Sequence, residues 1–144
     1  ANRAHIKPEA LWEHDQSLNL TGSQLMAASA SRTRFYLSML ALFEQFDVLA
    51  IPVSQVWPFD IGLRWPQSVS GRAMDTYHRW MEVVIYATFA GLPSISVPAG
   101  FGENGLPMGL ALIGKPQGDL ALLKLAHAYE MANLDMINRR PPGV

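Results

Sequence analysis

The sequence predicts an α/β fold, and three observations carry that expectation. Apolar residues spaced three or four apart recur over residues 21–46 and run directly into the unbroken apolar stretch Val48-Leu49-Ala50-Ile51, closed by Pro52. Two further strand-like runs, residues 94–97 and 108–113, flank the turn-forming pair Asn104-Gly105. A second stripe of helical spacing follows them. Helix leading into buried strand, then hairpin leading into helix, is the pattern of helices layered on a sheet.

The elements follow in chain order. Residues 8–14 read as a short helix with Pro8 in its first turn, where the missing N–H costs nothing, and Asn19 to Thr21 break it. Thr21 and Gln24 have capping-box spacing. Behind them Leu25, Ala28, Arg32, Phe35, Tyr36, Met39, Leu40, Phe43 and Phe46 trace one face of a long amphipathic helix. Asp47 ends it, and Val48 to Ile51 read as a strand covered on both faces. Residues 52–75 carry Trp57, Pro58, Phe59, Trp65 and Pro66 without a period, and a loop of this length in a compact domain is usually functional or covers something.

Residues 74–90 read as one helix stopped by Gly91, with Pro93 two residues on. The runs at 94–97 and 108–113, joined through Glu103-Asn104-Gly105, predict a β-hairpin, because Asn-Gly tolerates positive φ. Asp119 is placed to cap a last helix, Asp119–Ala132, whose Leu122, Leu123, Ala126 and Tyr129 form its apolar stripe. Residues 1–144 are read as a single or partial domain, with 133–144 as a tail that is polar and proline-rich from Arg139 onward.

A chain of this length folding alone buries about 68% of the surface its unfolded form exposes. Hydrophobic residues make up 49% and charged residues 16%, against about 25% charged in an average soluble domain. So sparse a charge supply leads us to expect surface that meets more protein. The formal net charge is -1 and the pI is near 6.5. No basic cluster is denser than Arg32 with Arg34 or Arg139 with Arg140, so a nucleic-acid partner is not expected.

The sequence contains no cysteine, which excludes disulfides, thiolate metal sites and a cysteine nucleophile, and a cytoplasmic location is the default. The longest apolar stretches, such as residues 83–90, fall far short of the ~20 residues that span a bilayer. Ala1-Asn2-Arg3 opens no signal-peptide pattern, so a soluble protein without a membrane partner is expected.

The residue-level chemistry is spare. His5, His14, His78 and His127 form no metal-ligand pair, so structural or surface roles are expected and no metal site. Ser94 and Ser96 lack the small flanking residues of a nucleophile elbow. Neither Gly100-Phe101-Gly102 nor the glycines from 105 to 109 match a dinucleotide or phosphate loop, so no cofactor is expected. Lys7, Lys115 and Lys124 do not sit at apolar strand ends that would desolvate a lysine base. Asn19-Leu20-Thr21 is formally a glycosylation sequon, but its threonine is already accounted for as a helix cap.

One resemblance adds to this reading. Ala90-Gly91-Leu92-Pro93-Ser94-Ile95-Ser96-Val97-Pro98-Ala99-Gly100-Phe101, followed by Gly105-Leu106-Pro107-Met108-Gly109-Leu110-Ala111-Leu112-Ile113-Gly114, closely resembles the C-terminal signature of the amidase-signature family. Asp119 with residues 122–130 resembles that family's last helix, and Phe46-Asp47-Val48-Leu49-Ala50-Ile51-Pro52 the strand before its substrate-side loop. The likeness runs from about Thr21 to Glu130. It departs at Ile85-Tyr86-Ala87-Thr88-Phe89, where many members carry an asparagine, and at residues 136–144.

The resemblance implies the C-terminal piece of an α/β/α sandwich with a mixed sheet flanked by helices. It also implies hydrolysis of carboxamides through a serine nucleophile, a second serine in a cis peptide, and a lysine base. Those residues belong to a Gly/Ser-rich segment upstream of the part matched here, so no catalytic residue is assigned in this chain and it is expected to be inert alone. The loop after the Asp-to-Pro strand tends to wall the substrate pocket in such enzymes, which makes Trp57, Phe59 and Trp80 the substrate-binding candidates by resemblance. Loop packing is the other reading of these aromatics, given the ~150–250 Å² each ring buries.

The expected partners are the N-terminal catalytic portion of the amidase and, in the complete enzyme, a small-molecule amide. Open sheet edges favour self-association, so a homo-oligomer is also expected. A non-catalytic binding or oligomerisation module built on the same fold is the alternative function.

Overall fold

The computed structural model of the chain describes residues 3–139. Readings that fall on residues 140–144, the end of the tail, lie outside the described residues.

The chain opens with a 3-10 turn, Arg3–His5, and helix α1, Pro8–Ser17, with Pro8 in its first turn. Helix α2, Gly22–Gln45, starts from the expected capping box. The Gln24 N–H donates to Thr21 Oγ1 at 3.2 Å and the Thr21 N–H to Gln24 Oε1 at 2.8 Å, which satisfies two otherwise unpaired amides. Only the second half of α2 is covered: Met39 and Phe43 are buried, with Phe35, Tyr36 and Leu42 packed beside them. Leu25 and Met26, at the other end, are 64% and 69% exposed.

Strand β1, Val48–Pro52, follows. The long loop after it holds a small ribbon, β2 (Ser68–Val69) against β3 (Arg72–Ala73), turned by Ser70 and Gly71 with φ of 49° and 78°. Positive φ at both central residues matches the right-handed twist of a tight hairpin.

The single helix expected over residues 74–90 is instead broken into α3 (Tyr77–Trp80), a 3-10 turn (Glu82–Val84) and α4 (Ile85–Ala90). The break is held by a side chain from outside the segment. The Gln55 amide Nε2 donates to the carbonyls of Arg79, at 2.8 Å, and of Trp80, and so satisfies acceptors at the point where the helix is interrupted. With both taken, the chain passes through Met81 at φ -94°, ψ 8° and tightens, Val84 N–H bonding to the Met81 carbonyl at 3.0 Å. Gly91, at φ 65°, then ends α4 in the left-handed region that favours glycine.

Strands β4 (Ser94–Phe101) and β5 (Pro107–Gly114) form the expected hairpin, each longer than its apolar run suggests. The sheet order is β1-β5-β4, and both pairings are antiparallel, Leu49 and Ser94 each lying opposite Ile113. Its two outer strands therefore run parallel to each other, linked by a connection that passes through α3 and α4, while no directly paired strands are parallel among the described residues. Helix α5, Asp119–Ala132, keeps its expected bounds, but Gly118 rather than Asp119 is the capping residue, and no side chain caps it. A further turn, α6 (Leu134–Ile137), lies within the stretch read as a tail.

Period-two alternation divides the sheet between two helical layers. Ile113, 1% exposed, joins Leu49 and Ile51 beneath Met39 and Phe43 of α2 and Ala90 of α4. On the opposite face Leu112, Val97, Leu110 and Ile95 meet Leu122 and Ala126 of α5. The result is a helix–sheet–helix sandwich. Coverage is diagonal: Ser94 and Ser96 of β4 remain exposed on the α2 side, and Ala50 of β1 on the α5 side. Gly109 is confined by close packing, since a Cβ there would lie 2.8 Å from Val53 Cγ2 and 2.9 Å from Ser96 Oγ; at Gly114 a Cβ would meet only ordinary contacts from 3.5 Å.

Candidate functional site

One group of aromatic residues gathers where α1 meets the loop after β1 and α3. Thr76 starts α3 by accepting the Arg79 N–H at 3.2 Å, which fixes Tyr77, His78 and Trp80 on one short turn. Trp65 is tied down from the loop by its indole N–H, which donates to the carbonyl of buried Met74 at 3.0 Å. Ring contacts then run in sequence. Phe59 meets Trp80 edge-on at 5.6 Å, Trp80 meets Tyr77 at 6.2 Å, and Tyr77 meets both Trp65, at 6.1 Å, and His78, at 5.9 Å. His78 lies 5.9 Å from Trp12 of α1. Edge-to-face pairs in this distance range contribute about 0.5–1.5 kcal/mol each beyond the area they bury.

The structure brings two of the three substrate-lining candidates into ring contact, and Trp57 is not one of them. Phe59 and Trp80 are in contact, and Trp80 carries a buried indole N–H that has no acceptor among the described residues. Trp57 lies at the tip of the β4–β5 hairpin, over Gly102, lining a shallow recess with Phe101, Glu103 and Asn104. Sequence reasoning misses Trp12, Tyr77 and His78, which wall a cleft of about 220 Å³ together with Pro8 and Trp65. Only part of the cue is local: Trp65 stands in the long aperiodic loop, but nothing in the sequence joins Trp12 to a segment more than fifty residues away.

Ionic groups fringe the cleft in pairs. Glu9 holds Arg64, His78 Nε2 lies 2.9 Å from Glu13, and Arg79 Nε lies 2.5 Å from Asp75. Arg64 also stacks over Trp65, its guanidinium carbon 5.3 Å from the ring centre. Elsewhere, Lys115 Nζ pairs with Asp47 at 3.1 Å and His127 Nδ1 is 3.8 Å from Glu130.

Covalent amide hydrolysis needs a nucleophile in hydrogen-bond reach of a base. Among the described residues no serine hydroxyl bonds to a lysine or histidine side chain: the Ser17 hydroxyl donates to a backbone carbonyl, as does that of Ser38, and Ser31 accepts from Arg34. No group of three or more His, Asp or Glu residues among them is placed to hold a metal ion.

Comparison with known proteins agrees with the architecture. The Amidase family model matches residues 8–123. A glutamyl-tRNA(Gln) amidotransferase subunit of Myxococcus xanthus is 35% identical over 117 residues, covering 81% of this chain and 23% of the relative. A putative amidase of Synechocystis is 36% identical over 92 residues, 64% of this chain and 18% of that protein. Among solved structures, a bacterial aryl acylamidase of the amidase signature enzymes superposes with a TM-score of 0.80 at 30% identity, over 96% of this chain and 30% of that one. This chain thus spans about a fifth of the length of the curated relatives it matches. A match over most of the described residues, on a shared fold, makes this protein a member of the Amidase family.

Proposed function

We propose that the chain is the C-terminal part of an amide hydrolase and that it is inert alone. In this reading it supplies three sheet strands, the flanking helices and one wall of the substrate pocket. The serine nucleophile, the cis-peptide serine and the lysine base would come from the N-terminal catalytic portion. There the nucleophilic oxygen attacks the amide carbonyl, the relay serine passes the proton to the departing amine, and water then releases the acyl group as acid. The observation that carries this reading is the pairing of an amidase fold, matched over a fifth of the relatives' length, with the lack of a serine hydroxyl bonded to a lysine or histidine among the described residues. For the substrate wall, the Phe59–Trp80 contact and the free indole N–H of Trp80 support those two candidates; Trp57 would act from the hairpin tip.

The unpaired outer edge of β4 and the exposed Leu25 and Met26 are compatible with the alternative, a non-catalytic binding or oligomerisation module. One experiment separates the two readings: amide hydrolysis and light-scattering mass, measured for the chain alone and after adding an amidase N-terminal portion. Our reading expects no hydrolysis by the chain alone, in a homo-oligomer, and turnover on mixing. An inert monomer that ignores the added portion favours the module, and turnover by the chain alone that survives every contaminant control contradicts the proposal.

A further inference from the structure

We infer that the cleft between α1 and α3 binds one uncharged aromatic ring, so that the amide handled by the complete enzyme carries an aryl group. This deepens the amide-hydrolase reading and rests on it. Size comes first. The cleft of about 220 Å³ exceeds the roughly 150 Å³ of an apolar cavity that takes benzene, yet falls below the ~300–1,000 Å³ of sites for drug-sized ligands. A single ring with a short substituent fits between those limits.

Its walls decide the chemistry. Trp12, Trp65, Tyr77 and His78 present π-surface, and Trp12 remains 46% exposed rather than closed into a core. Aromatic cages that select organic cations rely on ring faces and gain from carboxylates free to face the ligand. Here each carboxylate on or beside the rim is already engaged, Glu9 by Arg64, Glu13 by His78 and Asp75 by Arg79. With each carboxylate already partnered, a cation gains less here than beside an unpaired one, whereas a neutral ring needs no counter-charge. Tyr77 of the cleft wall is in ring contact with Trp80, which meets Phe59, so the cleft lies next to the pair proposed for the substrate wall.

The test uses the 144-residue chain and its four tryptophans, whose indole N–H signals are resolved by two-dimensional NMR. Acetanilide is titrated against acetamide, which has the amide without the ring, and against tetramethylammonium. The expected result is a saturable shift of the Trp12 and Trp65 signals with acetanilide at millimolar concentration, with Trp57 unmoved and no response to acetamide. Trp12→Ala, at an exposed position, should weaken the affinity at least fivefold while the remaining spectrum reports an intact fold. Shifts confined to Trp57, equal responses to acetamide, preference for tetramethylammonium, or no saturation up to the solubility limit would each overturn the inference. Because the readout is binding and not turnover, its failure leaves the hydrolase reading standing, and failed reconstitution of hydrolysis leaves ring binding measurable.

Discussion

The sandwich and the aromatic annex are held together by different physics. In the sandwich, Ile113, Leu49, Met39 and Phe43 on one face and Leu112, Val97, Leu122 and Ala126 on the other follow strict strand and helix periods, and the backbone is paired in regular ladders. In the annex, α1 buries no residue, and its links to α3 and the long loop are a tilted ring contact and ion pairs with at least one exposed member. Stability should therefore reside in the first region and ligand contact in the second, an arrangement in which a rigid scaffold positions a more adaptable binding surface.

Mutations sharpen that contrast. The largest effect is expected from Phe43→Ala, which opens a cavity between α2 and the sheet. Truncating a buried phenylalanine costs about 3–5 kcal/mol, read as a lower urea midpoint with an unchanged slope. Equal stability after this change would mean that α2 is not part of the core. The smallest is expected from Arg64→Gln, which removes the Glu9 partner. An ion pair with one largely exposed member contributes less than about 1 kcal/mol and is screened by salt. A loss as large as that of Phe43→Ala would merge the two regions into one cooperative unit and end the comparison.

The contrast also explains what is legible in the sequence. Thr21 with Gln24, Asn104-Gly105 and the bounds of Asp119–Ala132 are local signals, and they set a helix start, a hairpin and a helix at their expected places. The unbroken apolar runs place the strands around Ile51 and Ile113 correctly, and the family resemblance agrees at the first. What stays hidden depends on residues distant in the chain. The break after Trp80 is held by Gln55, whose amide no local pattern associates with that helix. The cleft needs Trp12 beside His78, a contact between α1 and α3 that periodicity does not encode. The stripe of α2 reads as one apolar face, yet only its second half meets the sheet; sequence spacing shows that a face is apolar, not what covers it.

Those uncovered surfaces bear on the proposal that the chain is completed by an N-terminal amidase portion. The most direct measurement is amide hydrogen exchange along β4 and the first half of α2, with and without that portion. Its addition is expected to slow exchange in Ser94–Phe101, where strand pairing would extend the sheet beyond its open edge, and in the helix around Leu25 and Met26. Unchanged exchange in both segments, with the N-terminal portion added in excess, would contradict it.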